Sequence, residues 1–166
     1  MVINKVVDIL LKEVGTDHLQ FISGEILNPG NDECCLTEGR GSVYGIAIKL
    51  SLEEKENFFE NNEKDDITVD NWISIGEDYY PLYWGKDINM GARLHSHTKT
   101  SESTGTIRLN KRTELRGKTV IFGAVPCSNY AEIERRLRQK YPDIYKTHKG
   151  DDEGVFIEDL IPDEIS

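Results

Sequence analysis

The chain has 166 residues, 37% hydrophobic and 30% charged, with a formal net charge of -10 and a mean hydropathy of -0.51. That is enough for one domain with its own core, and its periodic apolar residues exclude a disordered chain. No apolar run approaches the ~20 residues that cross a bilayer, and Lys5, Asp8, Lys12 and Glu13 make the opening unlike a signal peptide, so a cytoplasmic protein with no membrane attachment is expected.

Ile3, Val6, Val7, Leu10 and Val14 recur at helical spacing and predict an opening amphipathic helix. Residues 28–41 hold Pro29-Gly30 and Gly39-Arg40-Gly41 and read as turns and loop. Residues 43–50 are apolar and partly β-branched, a core strand. Ser51 with Glu54 makes a capping box, so a helix through Phe58 and Phe59 follows. Residues 61–66 are polar and acidic and read as loop. Residues 68–75 and 79–84 are strand candidates, the second at an edge or a strand start because of Pro81. That strand is expected to end at Gly85, with Asp87 capping a helix from 88 to about 98 and Lys86 near its start.

Residues 101–105 read as loop and 119–125 as another core strand. A helix opens around Asn129, presents Tyr130, Ile133, Leu137 and Tyr141 on its apolar face, and stops at Pro142. From Gly150 the chain is an acidic tail. With no repeat and no linker, residues 1–166 read as a single domain. The expected class is α+β: a small antiparallel-containing central sheet flanked by helices, with N-terminal helical decoration over 1–40 and an acidic insertion.

Cys34, Cys35 and Cys127 give no disulfide framework and no zinc spacing, so they read as bystanders. The net charge conceals an uneven distribution. Residues 85–149 carry 14 Lys/Arg against 6 Asp/Glu, between acidic flanks. Screening acts over about 10 Å in moderate salt, so this local sign outweighs the total for a polyanionic partner.

Within the basic segment, Arg93 and His97 stand at i and i+4 of the expected helix, with Lys86 close by, a plausible phosphodiester site. A solvated basic helix face is the competing reading. The run Tyr83-Trp84-Gly85-Lys86, followed by Arg93 ten residues after Tyr83, resembles the second half of the GIY-YIG nuclease signature. Gly41-Ser42-Val43-Tyr44 is similar to its first half, and Glu134, in a helix closed by Tyr141-Pro142, to its glutamate. The resemblance spans about residues 41–147, and His97 matches a histidine of some restriction enzymes of this superfamily. The chain departs from the pattern at Ser42, where glycine is usual. It also has 38 residues between the two tyrosines, read as an insertion, and lacks the asparagine usual beyond Pro142, with Thr147 as its nearest substitute.

The resemblance implies a stand-alone, restriction-type or phage-associated, divalent-metal-dependent endonuclease acting on DNA, with room for a homo-oligomer. Glu134 would hold one Mg²⁺ or Mn²⁺, largely water-coordinated. Arg93 would brace the scissile phosphate, Tyr44 would help activate water, and Tyr83 would orient the water or the phosphate. His97 or Lys86 would assist proton transfer. Beside such a site, Arg108, Lys111, Arg112 and Arg116 read as a phosphate-tracking surface. The bland alternatives are that both tyrosines are ordinary strand aromatics and that Glu134 pairs with Arg138 at i+4. The rival function is a non-catalytic nucleic-acid- or protein-binding regulator on the same fold.

Overall fold

The computed structural model describes residues 3–15, 21–25, 41–62, 67–87 and 113–145. The opening helix, α1 (Lys5–Val14), starts at Asn4, whose side-chain oxygen accepts the Val7 N–H. The same side chain donates to the Phe122 carbonyl at 2.9 Å, which pins the helix start to the sheet. Val6, Val7 and Leu10 are fully buried, and Gly15 closes the helix at φ 75°, a conformation that favours glycine.

Strands β1 (Ile22–Glu25), β2 (Ser42–Lys49), β3 (Tyr79–Asp87) and β4 (Val120–Pro126) form one sheet in the order β1-β4-β2-β3, antiparallel throughout. β2 is central and buried along all but its last residue, as its unbroken apolar run requires. Helix α2 (Leu52–Asn61) begins with the expected capping box of Ser51 and Glu54. Helix α3 (Tyr130–Lys140) buries Ile133 and Leu137, and its Tyr141 cap precedes Pro142. The described residues therefore form an α+β fold, and none of their helices is long and apolar enough to cross a membrane.

One face of the sheet packs Val43, Ala47, Trp84, Ile121 and Val125 against α1 and α3. The other packs Tyr44, Ile46, Tyr80, Leu82, Tyr83 and Phe122 against Phe58 and Phe59 of α2, Trp72, Ile144 and Tyr145. A bulge in β3 sets this partition. Ile46 pairs with Tyr83 and Ala47 with Pro81, so Leu82 is an extra residue. Leu82 and Tyr83 consequently join the same cluster, and Trp84 faces the helices.

β3 is an edge strand, the first of the two placements that Pro81 suggested, and its outer side is closed by residues after α3. The Asp143 carboxylate accepts the Trp84 N–H at 2.9 Å, and the Tyr145 N–H donates to the Leu82 carbonyl at 2.9 Å. This pairing blocks a further strand. On the helical side, the Glu13 carboxylate takes hydrogen bonds from Arg136 and Lys140, both at 3.0 Å, locking α1 to α3. Burial works against that charged carboxylate, but the two cations hold its pKa below the ordinary value.

Three expectations need correction. Residues 68–75 form turns rather than a strand, because the Thr68 carbonyl accepts the N–H groups of Asn71 and Trp72. The fold there is directed by Trp72, which is fully buried and donates its indole N–H to the Pro81 carbonyl at 2.7 Å. Second, β3 does not stop at Gly85 but runs to Asp87, so Lys86 belongs to the strand and not to a helix start. Third, β1 has no counterpart among the expected strands; it is four residues long, too short for its alternation to register. The helix expected from 88 to about 98, the loops at 28–40 and 101–105, and the acidic tail lie outside the described residues.

Candidate active site at the β2–β3 pair and helix α3

Antiparallel pairing sets Tyr44 opposite Gly85 and Tyr83 opposite Ile46, so the two tyrosines are diagonal neighbours on one face. Their ring centroids are 6.2 Å apart. A Cβ on Gly85 would lie 2.3 Å from the Tyr44 ring, so the glycine of Tyr83-Trp84-Gly85 is the seat of the other strand's tyrosine. On the opposite face the relation is reciprocal: a Cβ on Gly45 would lie 2.4 Å from the Trp84 ring. Each strand offers one aromatic ring and one glycine to its partner, which keeps the two strands in one register.

Lys86 projects from the Trp84 side of β3 toward α3, where its Nζ lies 3.7 Å from Glu134 Oε1. One helical turn on, Arg138 Nη1 lies 3.4 Å from Glu134 Oε2. The Glu134 side chain is only 15% exposed. Arg138 is engaged on all three nitrogens. Its Nε is 3.3 Å from Asp143, its Nη2 donates to the Trp84 carbonyl, and its guanidinium carbon lies 5.0 Å from the Tyr83 ring centre. It thus reaches round the edge of β3 from the α3 side to the tyrosine face.

Burial pushes the Tyr83 phenol up to about 12; the nearby Arg138 opposes this, while Asp143 and Glu134 reinforce it. At neutral pH Tyr83 is therefore an uncharged hydrogen-bond donor and acceptor, suited to orienting an oxygen rather than to taking a proton. Burial also disfavours the charged Arg138, but Asp143, Tyr83 and Glu134 outweigh it and raise the guanidinium pKa. Its cation is permanent.

The structure thus sets Tyr44 and Tyr83 together on one face of the β2–β3 pair and Lys86 and Glu134 together on the other, with Arg138 reaching between them round the strand edge. Arg93, His97, Arg108, Lys111 and Arg112 lie outside the described residues. Arg116 is exposed beyond a single 3₁₀ turn (Thr113–Leu115). Its neighbours Glu114 and Lys118 contact Tyr145 and Glu54, so this end of the basic run lies on the tyrosine face of the sheet. Ser42, standing where the resemblance has glycine, is fully buried, and its hydroxyl lacks a hydrogen-bond partner. Sequence reasoning missed Asp143, although a carboxylate directly before Ile144 and Tyr145 was the available signal of a buried charge.

Among the described residues there is no group of three or more His, Cys, Asp and Glu able to enclose a metal ion. Glu134 alone fits one by chemistry. It is a hard oxygen donor, held by ion pairs at 3.4 and 3.7 Å rather than by tight hydrogen bonds, and Mg²⁺ keeps most of its own water. Lys86 and Arg138 would compete with the ion for that charge. No family model, curated protein or solved structure matches the chain.

Proposed function

We propose that this protein is a cytoplasmic, divalent-metal-dependent endonuclease that hydrolyses phosphodiester bonds in DNA, with a GIY-YIG-type site and Mg²⁺ or Mn²⁺ as cofactor. The observation that supports it best is that one strand pair carries Tyr44 beside Tyr83 on one face and Lys86 beside Glu134 on the other, the two pairs being joined round the edge of β3 by Arg138. In the proposed site Glu134 would hold the metal ion, which when bound supplies charge neutralisation and an acidified water. The ammonium of Lys86, partly exposed at the strand end, attracts the phosphodiester and meets its oxygens. Tyr83 donates a hydrogen bond from its neutral phenol, and Tyr44 orients the attacking water beside it. Arg93 and His97 complete the phosphate clamp by resemblance, and Arg116 belongs to the surface that tracks the backbone.

The test is cleavage of plasmid DNA with and without Mg²⁺ or Mn²⁺, by the wild type and by Glu134→Gln. Metal-dependent nicking by the wild type that falls at least about a hundredfold in the variant is the expected result. A wild type inert in every divalent ion sinks the reading. One observation favours the rival: Glu134 is already paired with Lys86 and Arg138, as a structural carboxylate would be. DNA binding without cleavage would identify the non-catalytic regulator.

A further inference from the structure

Helix α3 carries two Glu–Arg pairs of i, i+4 spacing, and they are built differently. Arg136 meets Glu132 at 3.0 Å on an exposed side and otherwise serves Glu13 of α1. Arg138 meets Glu134 at 3.4 Å while fixed at three further points: the Asp143 carboxylate, the Trp84 carbonyl and the face of the Tyr83 ring. Asp143 is itself 3% exposed and held by the Trp84 N–H. A surface ion pair has no need of such bracing, and long side chains usually give up such pairs to solvent.

Resting on the nuclease reading above, we propose that Arg138 is the positioning residue of the site, aligning Glu134 and Tyr83 with each other from a socket formed by Asp143 and the Trp84 backbone. The nitrogens of the fork divide the contacts among them, Nε meeting the socket carboxylate, Nη2 the strand carbonyl, and Nη1 Glu134. Lysine has one nitrogen and cannot divide it three ways. The guanidinium carbon also lies over the tyrosine ring, 5.0 Å from its centre, so one side chain limits both groups. Its charge has a second effect. A fixed cation 3.4 Å from Glu134 lowers that carboxylate's attraction for a dication, so positioning is obtained against metal affinity.

Those two effects give the test its signature. Arg138→Gln, Arg138→Lys and the control Arg136→Gln are compared by single-turnover cleavage, by DNA affinity in Ca²⁺, and by Mn²⁺ titration calorimetry. Arg138→Gln is expected to cut at least about tenfold more slowly while binding Mn²⁺ several-fold more tightly, with DNA affinity within about twofold. Arg138→Lys keeps the charge and most of the packing. It should bind Mn²⁺ as the wild type does and still cut about tenfold more slowly. Arg136→Gln should match the wild type in cleavage and in Mn²⁺ affinity. A merely structural Arg138 would lower cleavage and Mn²⁺ affinity together, and that outcome overturns the proposal. So does wild-type cleavage by Arg138→Lys. If the wild type neither cuts DNA nor binds Mn²⁺, the nuclease reading falls first and this proposal with it; if the wild type cuts and both variants match it, only Arg138's role is lost.

Discussion

Gly85→Ala puts a methyl group where the Tyr44 ring lies. The new Cβ would stand 2.3 Å from Cζ and 2.4 Å from the phenol oxygen, whereas ordinary contact begins near 3.4 Å. Tyr44 must therefore retreat by about 1 Å, and at 2% exposure, with Tyr83 beside it, it has little room. Overpacking of this kind costs about 2 kcal/mol, which in a chain of this length lowers Tm by roughly 4–8 °C. The functional loss should exceed the loss of stability, because a displacement of ~1 Å in a reacting group can cost on the order of a hundredfold in rate. Urea unfolding gives the first quantity, and single-turnover DNA cleavage below the unfolding transition gives the second. An alanine variant within about 0.5 kcal/mol of wild type, cleaving at the wild-type rate, would show that Tyr44 does not depend on its glycine seat.

Two further outcomes are expected. Because the Tyr83 phenol is raised from the ordinary value of 10.0 to about 12, the protonated form is favoured in the folded state. Its contribution to stability is complete below pH 10 and is lost as pH rises toward 12. Tyr79 and Tyr80 are also raised by burial, so Tyr83→Phe should remove part of the alkaline loss seen in unfolding curves, and an unchanged curve would refute it. Burial pushes the Cys127 thiol up to about 11, so with Cys34 and Cys35 replaced by serine it should react with a disulfide reagent at about pH 8 only on unfolding; rapid labelling of the native protein would contradict its packing.

The elements legible in the sequence were those whose periodicity is decided by burial on one or both faces. β2 declared itself by its unbroken apolar run and α3 by Ile133 and Leu137. The Ser51–Glu54 box marked α2 because its two hydrogen bonds are local. Where long-range contacts overrule local pattern, the reading failed. Residues 68–75 were expected as a strand, yet Trp72 packs on Phe58, Phe59 and Tyr80 and draws the segment into turns. The acidic stretch between the tyrosines, read as an insertion, supplies much of one side of the core through these same residues. For the site, sequence order and spacing suggested which residues meet. They could not reveal Asp143 behind Arg138, since that contact needs the chain after α3 to return along the edge of β3. The pairing of Glu134 with Arg138, first the bland alternative, is present alongside the contact with Lys86.

The extra residue in β3 has a consequence for how chain length can vary here. Pairing on either side of Leu82 would join into a regular ladder if that residue were deleted, because Pro81 and Tyr83 already face Ala47 and Ile46, which are adjacent in β2. Position 82 is thus where the strand can gain or lose one residue without inverting which side chains face the core. The deletion would still remove a fully buried leucine and the carbonyl that receives the Tyr145 N–H. That hydrogen bond lies two residues beyond Asp143, so a length change that leaves the ladder in frame would loosen the clasp on the strand's outer edge. A shortened relative should therefore keep its strand order while having to secure the segment after α3 by some other contact.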